Sequence, residues 1–322
     1  MLKFNDSLVA PLRDHKWLTA AIAEVTQQDI SRVRERLFLE HLHFPHEIPA
    51  YFSARNLTPF VYNEDMVRFY EETDSFLFEL SVWNRSARKC AMREWILRNL
   101  RKNGIESGKI LICGDGIGVD SFYFVRHGYD VTSFEVSRLG VAMAKKLFSD
   151  WGGKIVISHS LGVLPEQSFD AILCLDVLEH LPDPIAAVRE NTQLLRPGGL
   201  FIFSSPFYLV AEKWSTHLDA NRKFSGRIRV FEEAGNMKHV DGTFLQCPIV
   251  FQKVGAKPML HMLPTKRLFL WYGAGWLRVF GRFPQIMPPF VLRDFRRDKQ
   301  IRSFVSDFAK ETEKNLDISL KV

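Results

Sequence analysis

Gly114, Gly116 and Gly118 stand in the run Gly114-Asp115-Gly116-Ile117-Gly118, and an acid, Glu135, follows 21 residues after the first of them. Closely spaced glycines permit a tight turn and let a ligand approach the backbone, and a helix starting there offers it unpaired N–H groups. An acid closing the next strand is placed to accept the hydroxyls of a ribose. Together the two features favour an adenosine-type ligand without requiring a pyrophosphate. A dinucleotide fingerprint needs glycine at 119, where the chain has Val119, and a phosphate-binding loop needs Gly-Lys-Ser/Thr, which is absent. Three histidines, His41, His43 and His46, also cluster. The intervening Phe44-Pro45 and the lack of a nearby cysteine or carboxylate cluster favour a helix C-terminus with solvated histidines over a metal site. The four cysteines, Cys90, Cys113, Cys174 and Cys247, form no CxxC pair, which fits a reducing compartment rather than a disulfide framework.

These residues need a scaffold. From 109 onward, short apolar runs at 110–113, 130–134, 154–158, 169–175 and 200–204 alternate with helical stretches near 120–126, 138–148 and 184–195. That is the pattern of a parallel sheet with crossover helices, and the unbroken apolarity of the runs suits strands buried on both faces. After Pro206 the pattern predicts a helix over 228–233 and strands over 242–246 and 249–253. The first hundred residues read as amphipathic helices. Thr26-Gln27-Gln28-Asp29 resembles a capping box, Asn63, Asp74 and Ser86 are N-cap candidates, and Gly104 sits where a helix would end.

Composition sets the limits. With 46% hydrophobic and 25% charged residues in 322, the chain can bury a full core. Its 27 phenylalanines, with seven Trp and seven Tyr, exceed what that core requires. Many fall outside the sheet, before it at 44, 52, 60, 69, 76 and 78, and after it at 269, 280 and 283 onward. The net charge of +6 is uneven: residues 1–256 carry 30 Lys+Arg against 31 Asp+Glu, and residues 257–322 carry 13 against 6. The opening MLKFNDSLVAPLRDHK lacks the apolar run of a signal peptide, and the longest apolar stretch, 268–277, is ten residues with two glycines. A cytoplasmic protein with three parts is expected: an N-terminal helical region (1–105) capping the substrate, a cofactor-binding α/β domain (106–256) and a basic, aromatic extension (257–322).

In this order and spacing, KILICGDGIGVDSFYFVRHGYDVTSFEVS, SFDAILCLDVLEHLPDP and LLRPGGLFIFSSP resemble the Rossmann-like S-adenosylmethionine-dependent methyltransferases, in the small-molecule branch that includes ubiquinone-biosynthesis O-methyltransferases. The resemblance implies a seven-stranded, mostly parallel sheet with helices on both faces. It implies that Gly114, Asp115, Gly116 and Gly118 wrap the methionine part of S-adenosylmethionine, that Glu135, followed by Val136, holds the ribose, and that Ser160 and Leu161 flank the adenine. Leu175, Asp176 and Val177 would line the cleft beside the sulfonium, with S-adenosylhomocysteine as the product. Two positions depart from the family pattern. Ile112 replaces an acid before the glycine loop, leaving Asp115 to supply that carboxylate, and His159 and Ser160 stand where many members place an aspartate.

On the acceptor side, the resemblance makes His180 the candidate general base, weighed against a packing or cofactor-positioning role for the same Glu-His pair. Tyr70 and His217 are the candidate substrate residues. Asp176-x-x-Glu179-His180 also resembles the metal-binding segment of small-RNA 2′-O-methyltransferases, with His217 or His239 as a later ligand. The first position there is Glu, and no metal is expected here. No Asn/Asp-Pro-Pro-aromatic motif follows the fourth strand, and Cys247 precedes its proline, which disfavours nucleobase amine and cytosine-C5 acceptors. The expected reaction is methylation of a hydroxyl on a small apolar or aromatic metabolite. Nucleic acid is disfavoured as a partner, and the extension is weighed as a site of peripheral membrane or lipid contact. An RNA methyltransferase and a non-catalytic S-adenosylmethionine-binding sensor or scaffold remain the competing readings.

Overall fold

A computed structural model describes residues 9–243, 245–255 and 264–280. After one helical turn at Ala10–Arg13 come six helices: α1 (His15–Thr26), α2 (Ile30–His43), α3 (Glu47–Arg55), α4 (Glu64–Glu72), α5 (Ser75–Trp83) and α6 (Ala87–Lys102). Side-chain caps start three of them. Asp14 accepts from the Trp17 N–H, Asn63 from Met66 and Ser86 from Lys89, each satisfying an N–H that has no partner within its helix. The capping-box expectation at Thr26 is overturned. Thr26 is the last residue of α1, its hydroxyl turns back to the Ile22 carbonyl, and Gln27 takes the left-handed conformation that ends the helix. Asp74 precedes α5 but its carboxylate bonds Arg36 and Gln28 instead of capping.

The α/β part runs β1 (Gly108–Cys113), α7 (Val119–Arg126), β2 (Tyr129–Phe134), α8 (Arg138–Trp151), β3 (Val156–Ser158), β4 (Phe169–Leu175), α9 (Pro184–Leu194), β5 (Leu195–Ser204), α10 (Ile228–Gly235), β6 (Met237–Gly242) and β7 (Ile249–Lys253). The seven strands lie in the order β3-β2-β1-β4-β5-β7-β6, with β7 antiparallel to both its neighbours. Alternate residues of the central strands feed two cores. Ile110, Ile112, Leu173, Leu175 and Ile202 pack with Ile96, Leu97 and Leu100 of α6, while Leu111, Cys113, Ile172, Cys174, Phe201 and Phe203 pack with Phe207, Phe231 and Phe251. The sixth strand lies at Met237–Gly242, earlier than the 242–246 expected, because Lys238, His239 and Asp241 mask its alternation at the sheet edge. A further helix, α11 (Pro264–Phe280), the last among the described residues, buries Leu270, Ala274 and Leu277. It is held by a hydrogen bond from Arg278 Nε to the Gly226 carbonyl at 3.1 Å and an ion pair between Lys266 and Asp241.

The strand order reverses between β1 and β4, so their C-terminal ends diverge into a crevice, which is where open parallel sheets bind ligands. The N-terminal helices roof it. A buried chain of charges fastens them: Lys89 of α6 reaches Asp120 of α7 at 3.1 Å and Asp176 at the end of β4 at 3.2 Å, and Arg93, fully buried, pairs with Asp120 at 2.6 Å.

Candidate active site

A single cavity of about 1540 Å³ fills the crevice, larger than the ~300–1,000 Å³ usual for small-molecule sites. Gly114 and Gly116 line it, both with positive φ (68° and 61°). A Cβ on Gly114 would lie 2.5 Å from Val177 and one on Gly116 2.4 Å from the tip of Leu80, so a side chain at either position strains the positive-φ backbone and displaces its neighbour. Gly118 does not line the cavity. It opens α7 at φ 82°, and a Cβ there would meet Ala144 at 2.6 Å, so this glycine serves close helix packing.

Glu135 lines the cavity. Its Oε2 accepts from the Gly116 N–H at 2.7 Å, and Oε1 from Val136 and Ser137, both at 2.8 Å. Burial raises its pKa and these N–H bonds oppose the rise. Three of the carboxylate's roughly four acceptor positions are occupied, leaving Oε2 room for one ribose hydroxyl. Val136, 70% exposed, and Ser137 and Arg138 continue this wall.

Besides Gly118, four expected cofactor residues stand outside the cavity lining. Asp115 turns inward, accepting from the Asp120 and Ser121 N–H groups at the start of α7 at 3.1–3.4 Å, because the adjoining N-terminal amides need an acceptor. Burial and the neighbouring Asp120 push its carboxyl up to about 8. Leu175 is packed in the core, and Ser160 and Leu161 lie beyond β3, outside the cavity lining. Asp176 and Val177 do line it. Asp176 sits at φ 61°, its carboxylate accepting from Ser204 at 2.8 Å, Trp83 at 2.9 Å and Lys89 at 3.2 Å. Burial alone would raise its pKa, but Lys89 and these hydrogen bonds outweigh that and hold it below the usual carboxylate range.

Tyr70, His180 and His217 occupy the same cavity. Tyr70 stacks on Phe76 with ring centroids 5.3 Å apart. His180 belongs to a 3₁₀ turn, Leu178–His180, and its ring meets that of His217 edge-on at 4.8 Å. The His180 Nδ1 bonds the Thr216 carbonyl at 3.1 Å and the His217 Nδ1 bonds that of Leu209 at 2.5 Å. A carbonyl only accepts, so both Nδ1 atoms carry the proton and both Nε2 atoms are bare lone pairs. Burial pushes His180 down to about 4 and His217 to about 3, so both rings are neutral at pH 7. The aromatic wall comprises Phe44, Phe76, Trp83, Trp95 and Trp214, with Phe44 stacked on Trp83.

Sequence reasoning missed Glu79, Trp83 and Arg88, which line the cavity from α5 and α6. They sit on helices read only as amphipathic stripes, and no local spacing links them to the glycine loop. The histidines of 41–46 also differ from expectation. His41 is turned inward, 2.8 Å from Arg85, whereas His43 is exposed, and the three are not brought together as a ligand set.

The glycine cradle and the remaining acceptor position on Glu135 fit the nucleoside and amino-acid parts of S-adenosylmethionine. A family model described as a methyltransferase domain matches residues 84–239. The ubiquinone biosynthesis O-methyltransferase of Alkalilimnicola ehrlichii is 33% identical over 106 residues, 32% of this chain and 43% of that protein. That of Aromatoleum aromaticum is 31% identical over 116 residues, 35% and 48% respectively. The chain thus spans just under half the length of these curated relatives. Among solved structures, a S-adenosylmethionine-dependent methyltransferase from Clostridium acetobutylicum is similar at 13% identity and TM-score 0.42, over 51% of this chain and 91% of that one. The magnesium protoporphyrin IX methyltransferase from Synechocystis PCC 6803, solved with bound SAM, is similar at 17% identity and TM-score 0.40, over 65% and 95%. Residues 84–239, just under half of the chain, thus match a methyltransferase domain, and about a third of the chain is similar to the ubiquinone biosynthesis O-methyltransferases.

Proposed function

We propose that the protein transfers a methyl group from S-adenosylmethionine to an oxygen of a small apolar or aromatic acceptor. The observation that carries this reading is that one cavity is lined both by Gly114, Gly116 and Glu135 and by Tyr70, His180 and His217. When bound, S-adenosylmethionine supplies an electrophilic methyl carbon on a sulfonium. The bare backbone of Gly114 and Gly116 leaves room for its chain, and Glu135 accepts from its ribose. The aromatic wall excludes water and takes the acceptor's apolar body, which fixes the oxygen relative to the methyl group. His180 Nε2 accepts the hydroxyl hydrogen and so orients an oxygen lone pair. With a pKa near 4 it is a weak base, so it takes the proton as the oxygen gains its new bond, when that O–H is most acidic.

Calorimetry with S-adenosylhomocysteine and a labelled-methyl assay on phenolic acceptors test this. The product should bind the wild type and lose affinity in Glu135→Ala, and His180→Ala should lower kcat about 100-fold while keeping that affinity. No binding, with Glu135→Ala indistinguishable from wild type, ends the reading.

A second feature favours an acceptor met at a lipid surface. On the side of α11 away from Leu270, Ala274 and Leu277, Leu268, Tyr272 and Val279 are exposed among the described residues, and Lys266 and Arg267 stand at its start. No described helix is long and apolar enough to cross a membrane, so such contact would be peripheral.

A further inference from the structure

Phe76, Glu79, Leu80 and Trp83 stand three and four residues apart on α5, and all four line the cavity. Glu79 is the one charged residue of that helix. We propose that Glu79 is a specificity-determining residue: held as a carboxylic acid, it donates a hydrogen bond to a carbonyl or ether oxygen of the acceptor, distinct from the oxygen that receives the methyl group. The proposal rests on the methyl-transfer reading for the acceptor's place in the cavity, and on the surroundings of Glu79 for the hydrogen bond.

Two observations carry it. First, the polar groups around Glu79 are engaged elsewhere. The Trp83 indole N–H donates to Asp176 at 2.9 Å, the Tyr70 hydroxyl of α4 bonds Thr216, and Glu40 of α2 accepts from the His46 and Glu47 N–H groups at 2.7–3.2 Å. The cations of the neighbouring helices are committed too: Arg36 of α2 pairs with Asp74 and with Glu47 of α3, and Arg88 of α6 bonds the Tyr208 hydroxyl. Arg138 of α8 lines the cavity and is exposed. Among the described residues none donates to the Glu79 carboxyl or forms an ion pair with it. Second, Glu79 is only half-buried and lines the cavity, so a ligand can reach it.

A carboxylate without a counter-charge among aromatic rings is costly, and the charge of Glu40 adds to that cost, so the group keeps its proton; burial first and Glu40 second raise its pKa to about 8. A carboxylic acid carries one O–H donor, and a donor left empty in an apolar wall favours the ligand that brings it an accepting oxygen. A ketone or ether oxygen does this without adding charge. An acceptor whose only oxygen is the hydroxyl facing His180 Nε2 would leave the Glu79 proton unused, and a site built around a hydrogen bond discriminates against a ligand that cannot make it. Above pH 8 the carboxylate has no proton to donate and repels the same oxygen, so the preference is present below that pH and lost as pH rises through it.

The test uses two ligands of matched shape that do not titrate, para-methoxyacetophenone and para-ethylanisole, with binding to the full-length protein read from the fluorescence of Trp83, Trp95 and Trp214 on the cavity wall. At pH 6 the wild type should bind the ketone at least as tightly as its ethyl counterpart. Glu79→Leu should shift the ratio of the two affinities against the ketone at least ~10-fold, and Glu79→Gln, whose amide still donates, by no more than about threefold. In the wild type the ratio should move against the ketone between pH 6 and pH 9, whereas in Glu79→Gln it should stay level. The wild-type pH profile needs no variant, so misfolding of Glu79→Leu leaves the test standing. An unchanged ratio in Glu79→Leu, a level wild-type profile, or binding of neither ligand at millimolar concentration overturns the proposal. Tighter binding of para-methoxybenzylamine than of the ketone at pH 6 also overturns it, since an ammonium group calls for the carboxylate. S-adenosylhomocysteine affinity is measured on the same sample. If that product binds while the ketone preference is absent, the role of Glu79 falls and the methyltransferase reading survives; a Glu79-dependent preference without product binding does the reverse.

Discussion

Glu79 lines the cavity beside Phe76, Leu80 and Trp83, and burial there, reinforced by the charge of Glu40, raises its carboxyl from 4.5 to about 8. A carboxyl with a raised native pKa stabilises the fold when protonated. Below about pH 4.5 both folded and unfolded chains hold the proton; above it the unfolded chain releases the proton while the folded one keeps it, so stability falls until the native group titrates near 8. Glu40, raised to about 7 by burial, acts in the same direction over the lower part of that window. Glu79→Gln keeps the shape and removes the titration. Its Tm should match wild type near pH 5 and exceed it at pH 8 by an amount corresponding to on the order of 2 kcal/mol, with the share from Glu40 still present. Parallel Tm profiles for the two proteins across this range would show that Glu79 is not the titrating group. The same cavity wall holds Tyr70, whose phenol burial pushes upward, so this side of the site is uncharged at neutral pH and suits an apolar acceptor.

At the scale of elements, the roof depends on α6. Lys89 bridges Asp120 and Asp176, and Arg93 pairs with Asp120 and donates to the Asn84 carbonyl at 3.0 Å, so the helix that brings Arg88 and Trp95 into the cavity is locked to both α7 and β4. Removing one member of a buried charge network leaves the others uncompensated, at about 3–5 kcal/mol. Lys89→Met should therefore lower Tm by on the order of 10 °C and raise KM for the acceptor more than it lowers kcat. A Tm within about 2 °C of wild type would mean that the network contributes little. None of this was legible in the sequence, where 87–102 shows only a stripe of Met92, Trp95, Ile96 and Leu100. The sheet was legible because β1, β4 and β5 are buried on both faces and read as unbroken apolar runs. The edge strand β6 was misplaced because its polar residues hid the alternation. The glycine loop and Glu135 were local in sequence and visible, but the turn that hides Asp115 is set by the start of α7, which spacing alone does not reveal.

Over the whole molecule the basic character lies in one segment, with residues 257–322 carrying 13 Lys+Arg against 6 Asp+Glu while the rest is nearly neutral. Helix α11, inside that segment, docks through Leu270, Ala274 and Leu277 and turns Leu268 and Tyr272, 59% and 71% exposed, outward. An apolar face beside a net positive charge is complementary to an anionic bilayer surface, where burial of the face and attraction to the headgroups add. The protein should cosediment with vesicles containing phosphatidylglycerol, bind purely zwitterionic vesicles weakly, and be released by raised salt, since the electrostatic share is screened. Leu268→Ser with Tyr272→Ser exposes no core residue, so Tm should hold while vesicle affinity drops by at least ~100-fold, as expected from the loss of ~1.5–3 kcal/mol of apolar burial per side chain. Equal sedimentation of wild type and the double variant would show that charge alone does the binding. Wild type remaining in the supernatant at low salt would instead leave the cavity to be loaded from solution.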